Sequence, residues 1–243
     1  MKRIKMKNIH LYLFLLCGIL CFNSCELDNY EGPNASLSGS FIDSETGELI
    51  ESDIINGTKI ELIEHGYENP AAYFLIVNVD GTYRNDMLFE NTYSIPPIMG
   101  GNFVPQTDTV TIEIKSGSNT YDFVVQPYIR VKDAAITIDG MVVTATFKLE
   151  QTVPDSIVVS KVGLFAHLSP SVGFDLVLGP PPVRTLKTVG HAADPNEEFA
   201  LELKLKAKDF EIGKSYFFRV GAVIDAPEAK YNYAPAVRLT ISE

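Results

Sequence analysis

Thr109-Val110-Thr111-Ile112-Glu113-Ile114-Lys115 decides the fold class. Val110, Ile112 and Ile114 fall on one side of an extended chain, and Thr109, Thr111 and Glu113 on the other. A period of two is that of a strand with one face buried and one in water. The pattern recurs downstream, where Leu201, Leu203, Leu205 and Ala207 alternate with Glu202, Lys204, Lys206 and Lys208. That lysine row reads as a solvated strand face guarding a sheet edge. Tyr73 to Val79 is almost continuously apolar and reads as a central strand. No stretch carries a helical stripe with caps.

Turn signals separate the runs at Thr46-Gly47-Glu48, Asp80-Gly81 and Asp139-Gly140. Asp-Gly suits hairpins because glycine accepts a positive φ at little steric cost. Asp80 and Asp139 are therefore read as turn residues, not functional ones. Many short strands with regular punctuation describe sandwiches. The expectation is an all-β chain with two antiparallel β-sandwich domains in tandem. A change of pattern near Gln126-Pro127 places them at residues 35–127 and 128–243, each near the ~100 residues of one such domain.

The start of the chain reads as a signal. Lys2, Arg3, Lys5 and Lys7 precede an apolar run of 12 residues, Leu11 to Phe22, then Asn23, Ser24 and Cys25. A helix needs about 20 apolar residues to span a bilayer, so this is a secretory leader, not a transmembrane segment. The small residue before Cys25 marks it as the lipid-modification site of a bacterial lipoprotein. Cys17 and Cys21 follow leucines and are poor cleavage points. Residues 1–24 are then the signal peptide and 25–34 a polar, turn-rich tether.

Cleavage leaves 219 of the 243 residues, and loss of the leader's four basic residues takes the formal charge from −11 to −15. All three cysteines lie at or before position 25. The mature domains therefore hold no internal disulfide, and stability must come from packing. The acidic balance argues against nucleic acid. It also disfavours adsorption to anionic lipid, so membrane attachment is expected from acyl chains alone.

Several motifs carry a family resemblance. Glu26, Asp28 and Glu31, directly after the anchor, resemble the acidic export signal of Bacteroidota surface lipoproteins. Gly39-Ser40-Phe41-Ile42-Asp43, Thr46 to Ile50, Lys59 to Leu62, Asp80-Gly81-Thr82-Tyr83 and Asn91-Thr92-Tyr93 resemble the carboxypeptidase-regulatory-like (transthyretin-like) sandwich. In that fold the aromatic after Asp-Gly packs inside. Tyr216 to Ala222 and Pro235 to Ile241 resemble the last two strands of an Ig or fibronectin-type-III sandwich. Together they resemble a Bacteroidota lipoprotein family of unassigned function that accompanies outer-membrane glycan-uptake systems. Asp108-Thr109-Val110 and Asp155-Ser156-Ile157 resemble the O-glycosylation sequon of such bacteria, at Thr109 and Ser156.

Reaction chemistry is thin. His65, His167 and His191 are far apart, and no metal-spaced ligand set, nucleophile elbow or phosphate loop is present. No metal, cofactor or catalytic residue is expected. A glycosidase would need two acids about 5–10 Å apart in one cleft. Binding is the leading expectation, since sugar rings stack on exposed aromatic faces. Tryptophan is absent, which leaves Tyr67, Phe103, Phe174, Tyr231 and Tyr233, all in turn-rich segments. Leu168 to Arg184, with Pro180-Pro181-Pro182, reads as a stiff extended loop. The expected protein is a non-enzymatic, outward-facing outer-membrane lipoprotein. It would bind glycan alongside neighbouring uptake proteins, or serve as a structural spacer without a small-molecule ligand. A hydrolase is the third reading.

Overall fold

The computed structural model describes residues 31–242. Cys25, Glu26 and Asp28 lie outside the described residues. Glu31 is exposed, just before the first strand.

β1 (Ala35–Asp43) is the spine of the first sheet, and every second residue of it is buried. β4 (Thr82–Leu88) pairs with it antiparallel on one side. On the other side β7 (Gly117–Thr120) and then β8 (Phe123–Val125) run parallel to it. These two short parallel pairings are set within the otherwise antiparallel sandwiches that the sequence led one to expect. The chain returns to the start of β1 before β7, so it retraces β1 in the same direction. The facing sheet has the order β3 (Ala72–Ile76), β2 (Lys59–Glu64), β5 (Asn91–Ile95), β6 (Val110–Ile114), all antiparallel. Between the sheets, the Phe41 ring stacks on Phe123 at 4.8 Å and on Phe103 at 5.0 Å. Tyr83, the aromatic after Asp80-Gly81, is buried against Phe41 and Phe123, and its hydroxyl donates to the Tyr121 carbonyl. Burial pushes the Tyr83 phenol well above its usual range.

In the second domain β9 (Ile129–Asp139), β10 (Val142–Gln151) and β13 (Glu198–Lys204) form a sheet of order β13-β10-β9. Gly140, at φ 52°, turns the β9–β10 hairpin as Asp139-Gly140 predicted. β13 is an edge strand that buries Phe199, Leu201 and Leu203 and leaves Glu202 and Lys204 in water. The facing sheet is built on β11 (Val159–His167) and β14 (Ser215–Ile224). β12 (Arg184–His191) flanks β11, and β15 (Asn232–Tyr233) and β16 (Val237–Thr240) both pair with β14. Phe147 and Phe199, register partners on β10 and β13, stack at 5.6 Å in this core.

Three sequence expectations change in the fold. β3 is an edge strand, not a central one, and leaves Phe74 62% and Ile76 52% exposed. Only its inward Leu75 is packed as expected. Asp80-Gly81 forms a tight turn, with the Asp80 carboxylate accepting from Thr82 N–H, but it joins two sheets instead of closing a hairpin. The proline triplet is not extended. Gly179 to Pro182 is a turn, and Val183 N–H donates to the Leu178 carbonyl at 2.8 Å.

Candidate functional site at the domain seam

The end of the first domain that carries Asp43, Glu51 to Thr58 and Ile98 to Phe103 packs on the second domain. Its pivot is Arg219 on β14, which is fully buried. Strand alternation points Arg219 out of the second core, where residues on both sides surround it. Nε donates to the Ala234 carbonyl at 2.9 Å. Nη1 donates to Ser52 and Val172, and Nη2 to Val79 and to the Glu51 carboxylate. The guanidinium also lies 4.1 Å from the Tyr233 ring centroid. All five N–H donors are thus used, which is the condition for burying a charge. Burial pushes the Glu51 carboxyl up, against the pull of Arg219.

Asp53 makes the second link. Its Oδ2 accepts from the Tyr233 hydroxyl at 2.8 Å and from Phe174 N–H at 3.1 Å, and its Oδ1 from Ile55 N–H. Burial, reinforced by the Asp53 charge, raises the Tyr233 phenol well above its usual value. A side chain at Gly173 would strike the Asp53 carboxylate, so only glycine fits there. Asn102 accepts from Asn232 at 2.8 Å on its backbone carbonyl, while its side chain donates to the Glu51 carbonyl.

Arg130 on β9 makes the third link. It grips Asp43 with two donors, at 2.5 and 3.0 Å, and reaches Glu45 and Glu150. Burial pushes the Asp43 carboxyl up. The hydrogen bonds from Arg130 and from backbone N–H groups, with the Arg130 charge, outweigh it and hold the group below its ordinary 3.8. Stability from this pair is therefore complete above 3.8 and is lost as pH falls through the lower folded value. Asp43→Asn should be less stable than wild type at neutral pH. The gap between their urea midpoints should shrink below pH 3.8.

The structure brings three of the aromatic candidates together. Phe174, Tyr231 and Tyr233 stack in a row, with centroids 5.1 and 5.7 Å apart. Arg184 caps one end, 4.1 Å from Phe174, and Arg219 caps the other. Tyr231 and Tyr233 are buried, so the row fastens the Leu168 to Arg184 loop to the sheet and offers no open tyrosine face. Phe174 is half-buried. Phe103 is corrected outright: at 1% exposure it is a core residue with no accessible ring face. Tyr67 is exposed on the β2–β3 loop, at the opposite end of the first domain from the seam. Thr109 and Ser156 are both exposed.

An open aromatic lies beside the seam, on β3. Phe74 borders a hollow of about 270 Å³ lined by Asn56, Lys59, Glu61, Pro96, Pro97, Met99, Glu228 and Lys230. Asn56 and Lys230 also line a neighbouring hollow of about 450 Å³ with Asp53, Phe174, Asp175 and Tyr231. Asn56 donates to Asp175 across the seam at 2.7 Å. The sequence reading missed Phe74 because it sits inside an apolar run and reads as core. The arrangement sets an exposed ring next to an amide, carboxylates and an ammonium group, which suits an apolar face edged by hydroxyls. Among the described residues no group of three or more His, Cys, Asp or Glu comes together to hold a metal.

Fold and seam define a two-domain, all-β protein whose sandwiches share a buried polar junction. The profile of the "Protein of unknown function (DUF3823) N-terminal domain" matches residues 35–126, and the DUF3823 C-terminal domain of unknown function matches residues 129–238. A solved structure from Bacteroides uniformis ATCC 8492, described as a "putative carbohydrate binding protein", is 34% identical. It covers 86% of this chain and 100% of its own, with a TM-score of 0.76. DUF3823 family proteins from Bacteroides uniformis and Parabacteroides merdae share the fold at 18% and 21% identity, with TM-scores of 0.72 and 0.71. Each covers 86% of this chain and 100% of its own. No curated protein matches. The chain belongs to the DUF3823 family.

Proposed function

We propose that this chain is a non-enzymatic, lipid-anchored protein of the outer cell surface that binds glycan in the seam groove. In this reading it assists outer-membrane polysaccharide uptake. The observation that carries the proposal is Phe74, a large apolar ring 62% exposed on an edge strand and bordered by polar groups. The name of the 34% identical relative points the same way. The Phe74 ring stacks against the C–H face of a sugar, while Asn56, Glu61 and Lys230 meet its hydroxyls. The groove is open and shallow, which fits a polymer passing across it better than a small molecule enclosed.

Phe74→Ala should weaken retention in polysaccharide affinity gels by about tenfold, as expected for a central aromatic anchor. It should leave the unfolding free energy within about 0.5 kcal/mol of wild type, because the ring is largely outside the core. Unchanged retention of a polysaccharide that wild type binds would refute the assignment of the groove. A spacer without a small-molecule ligand is the second reading. It is favoured by the fully satisfied buried charge at the seam, which suits a stiff two-domain rod. Failure of wild type to be retained by any of a broad panel of polysaccharides would support it.

A further inference from the structure

The end of the first domain remote from the seam has a distinct surface. The chain enters the fold there. Asn34 N–H donates to the Leu88 carbonyl, its side chain accepts from Glu90 N–H, and its own carbonyl accepts from Gly117 N–H. The β4–β5 and β6–β7 turns therefore flank the entry. The Asn91 side chain donates to the His65 carbonyl, which brings the β2–β3 loop to the same end. The end of β4 and these turns display Met87 at 68%, Tyr67 at 62% and Phe89 at 39% exposure. None of the three serves the seam or the groove.

We propose that this end is a membrane-contact face, with Tyr67, Met87 and Phe89 resting in the headgroup region of the bilayer. The proposal rests on the reading of Cys25 as the lipid anchor. Cys25 is nine residues before Asn34, and that length of chain reaches at most about 30 Å even when fully extended. The acyl anchor therefore holds this end within one short tether of the lipid. A tether this short also keeps the effective concentration of the surface high, so weak contacts are populated. Tyrosine suits the boundary, where its apolar ring and its hydroxyl are both satisfied, and phenylalanine adds apolar area to the buried side of such a face. Glu68 and Glu90 on the same loops outnumber Lys115, so the face is matched to zwitterionic headgroups over anionic ones. Acyl chains are then not the sole membrane contact, contrary to what the overall charge implied.

The chain has no tryptophan, so a single introduced indole reports its own surroundings. The lipidated full-length protein is placed in phosphatidylcholine vesicles with brominated acyl chains, as Phe89→Trp and, for control, as Ile212→Trp. Ile212 is exposed on the β13–β14 loop of the second domain. The Phe89→Trp protein should lose about half of its emission or more to bromolipid, as an interfacial indole does, and the Ile212→Trp protein should be unaffected. Equal quenching of both, or of neither, would overturn the proposal. Blue-shifted Phe89→Trp emission without bromolipid quenching would assign the face to a second copy and equally overturn it. Intact mass before reconstitution separates the two readings. Absence of the acyl mass refutes the anchor, whereas an acylated protein with unquenched emission refutes only the contact face.

Discussion

Arg219→Met should destabilise the described fold by about 3–5 kcal/mol, the range for breaking one side of a buried ion pair. Methionine keeps most of the stem volume, so the loss comes from polar groups and not from a cavity. Glu51 is left with a largely buried carboxylate and no counter-charge. The carbonyls of Ser52, Val79, Val172 and Ala234 lose the donor that Arg219 supplied. These groups come from both domains, so the damage should fall on the junction more than on either core. Pro33–Glu243 forms one compact unit, and urea unfolding of wild type should follow one transition. The variant should unfold earlier and split into two, one for each core. Adding Glu51→Gln should recover part of the loss by removing the stranded charge. A variant within about 0.5 kcal/mol of wild type, the range of an ordinary surface change, would refute the role of Arg219 in holding the seam.

Gly221→Val should cost about 1–3 kcal/mol or more and erase much of the tyrosine signal in near-ultraviolet circular dichroism. Propensity alone argues the other way, because glycine inside a strand is destabilising by about 0.5–1 kcal/mol relative to alanine and valine is a good strand former. Packing decides the sign. A Cβ at position 221 would lie 2.6 Å from the Tyr233 ring and 2.9 Å from the Asn232 carbonyl. Gly221 on β14 pairs with Gly163 on β11, where a side chain would strike the Phe165 ring. The two glycines make a flat floor on which Phe165 and Tyr233 lie, 6.0 Å apart. Raising that floor tilts Tyr233 away from Arg219 and Asp53 and undoes the stacked row. Unchanged tyrosine ellipticity together with unchanged stability would refute this account.

The strands were legible wherever one face is buried and the other wet. Thr109 to Lys115 and Leu201 to Leu205 show their alternation in the sequence, and the fold turns those same faces inward; the alternation read on to Lys208 stops at a turn, where Ala207 is exposed. Gly140 and Asp80-Gly81 were legible as turns, since backbone conformation there is local. Tyr73 to Val79 was not legible in the same way. An apolar run looks alike whether protein covers both faces or the outer face is left for a partner. Phe74 was therefore read as core, while Phe103, in a Gly- and Pro-rich stretch, was read as exposed. Arg219 was invisible for a related reason. One charged residue in an apolar strand gives no hint that a separate domain supplies its acceptors.

The sequence determined local geometry and broad composition: period-two strands, glycine turns, a basic and then apolar opening before Cys25, and an all-β chain with no cysteine after position 25. These follow from interactions between residues near in sequence, or from sums over the whole chain. Tertiary structure alone decided which strand became an edge and which aromatics were covered. It also decided where Arg219, Asp53 and Arg130 found partners. Those outcomes depend on contacts across long separations, such as Asp53 with Tyr233 and Asp43 with Arg130. Burial energy rewards the closed arrangement as a whole, so no single segment carries the information that sets it.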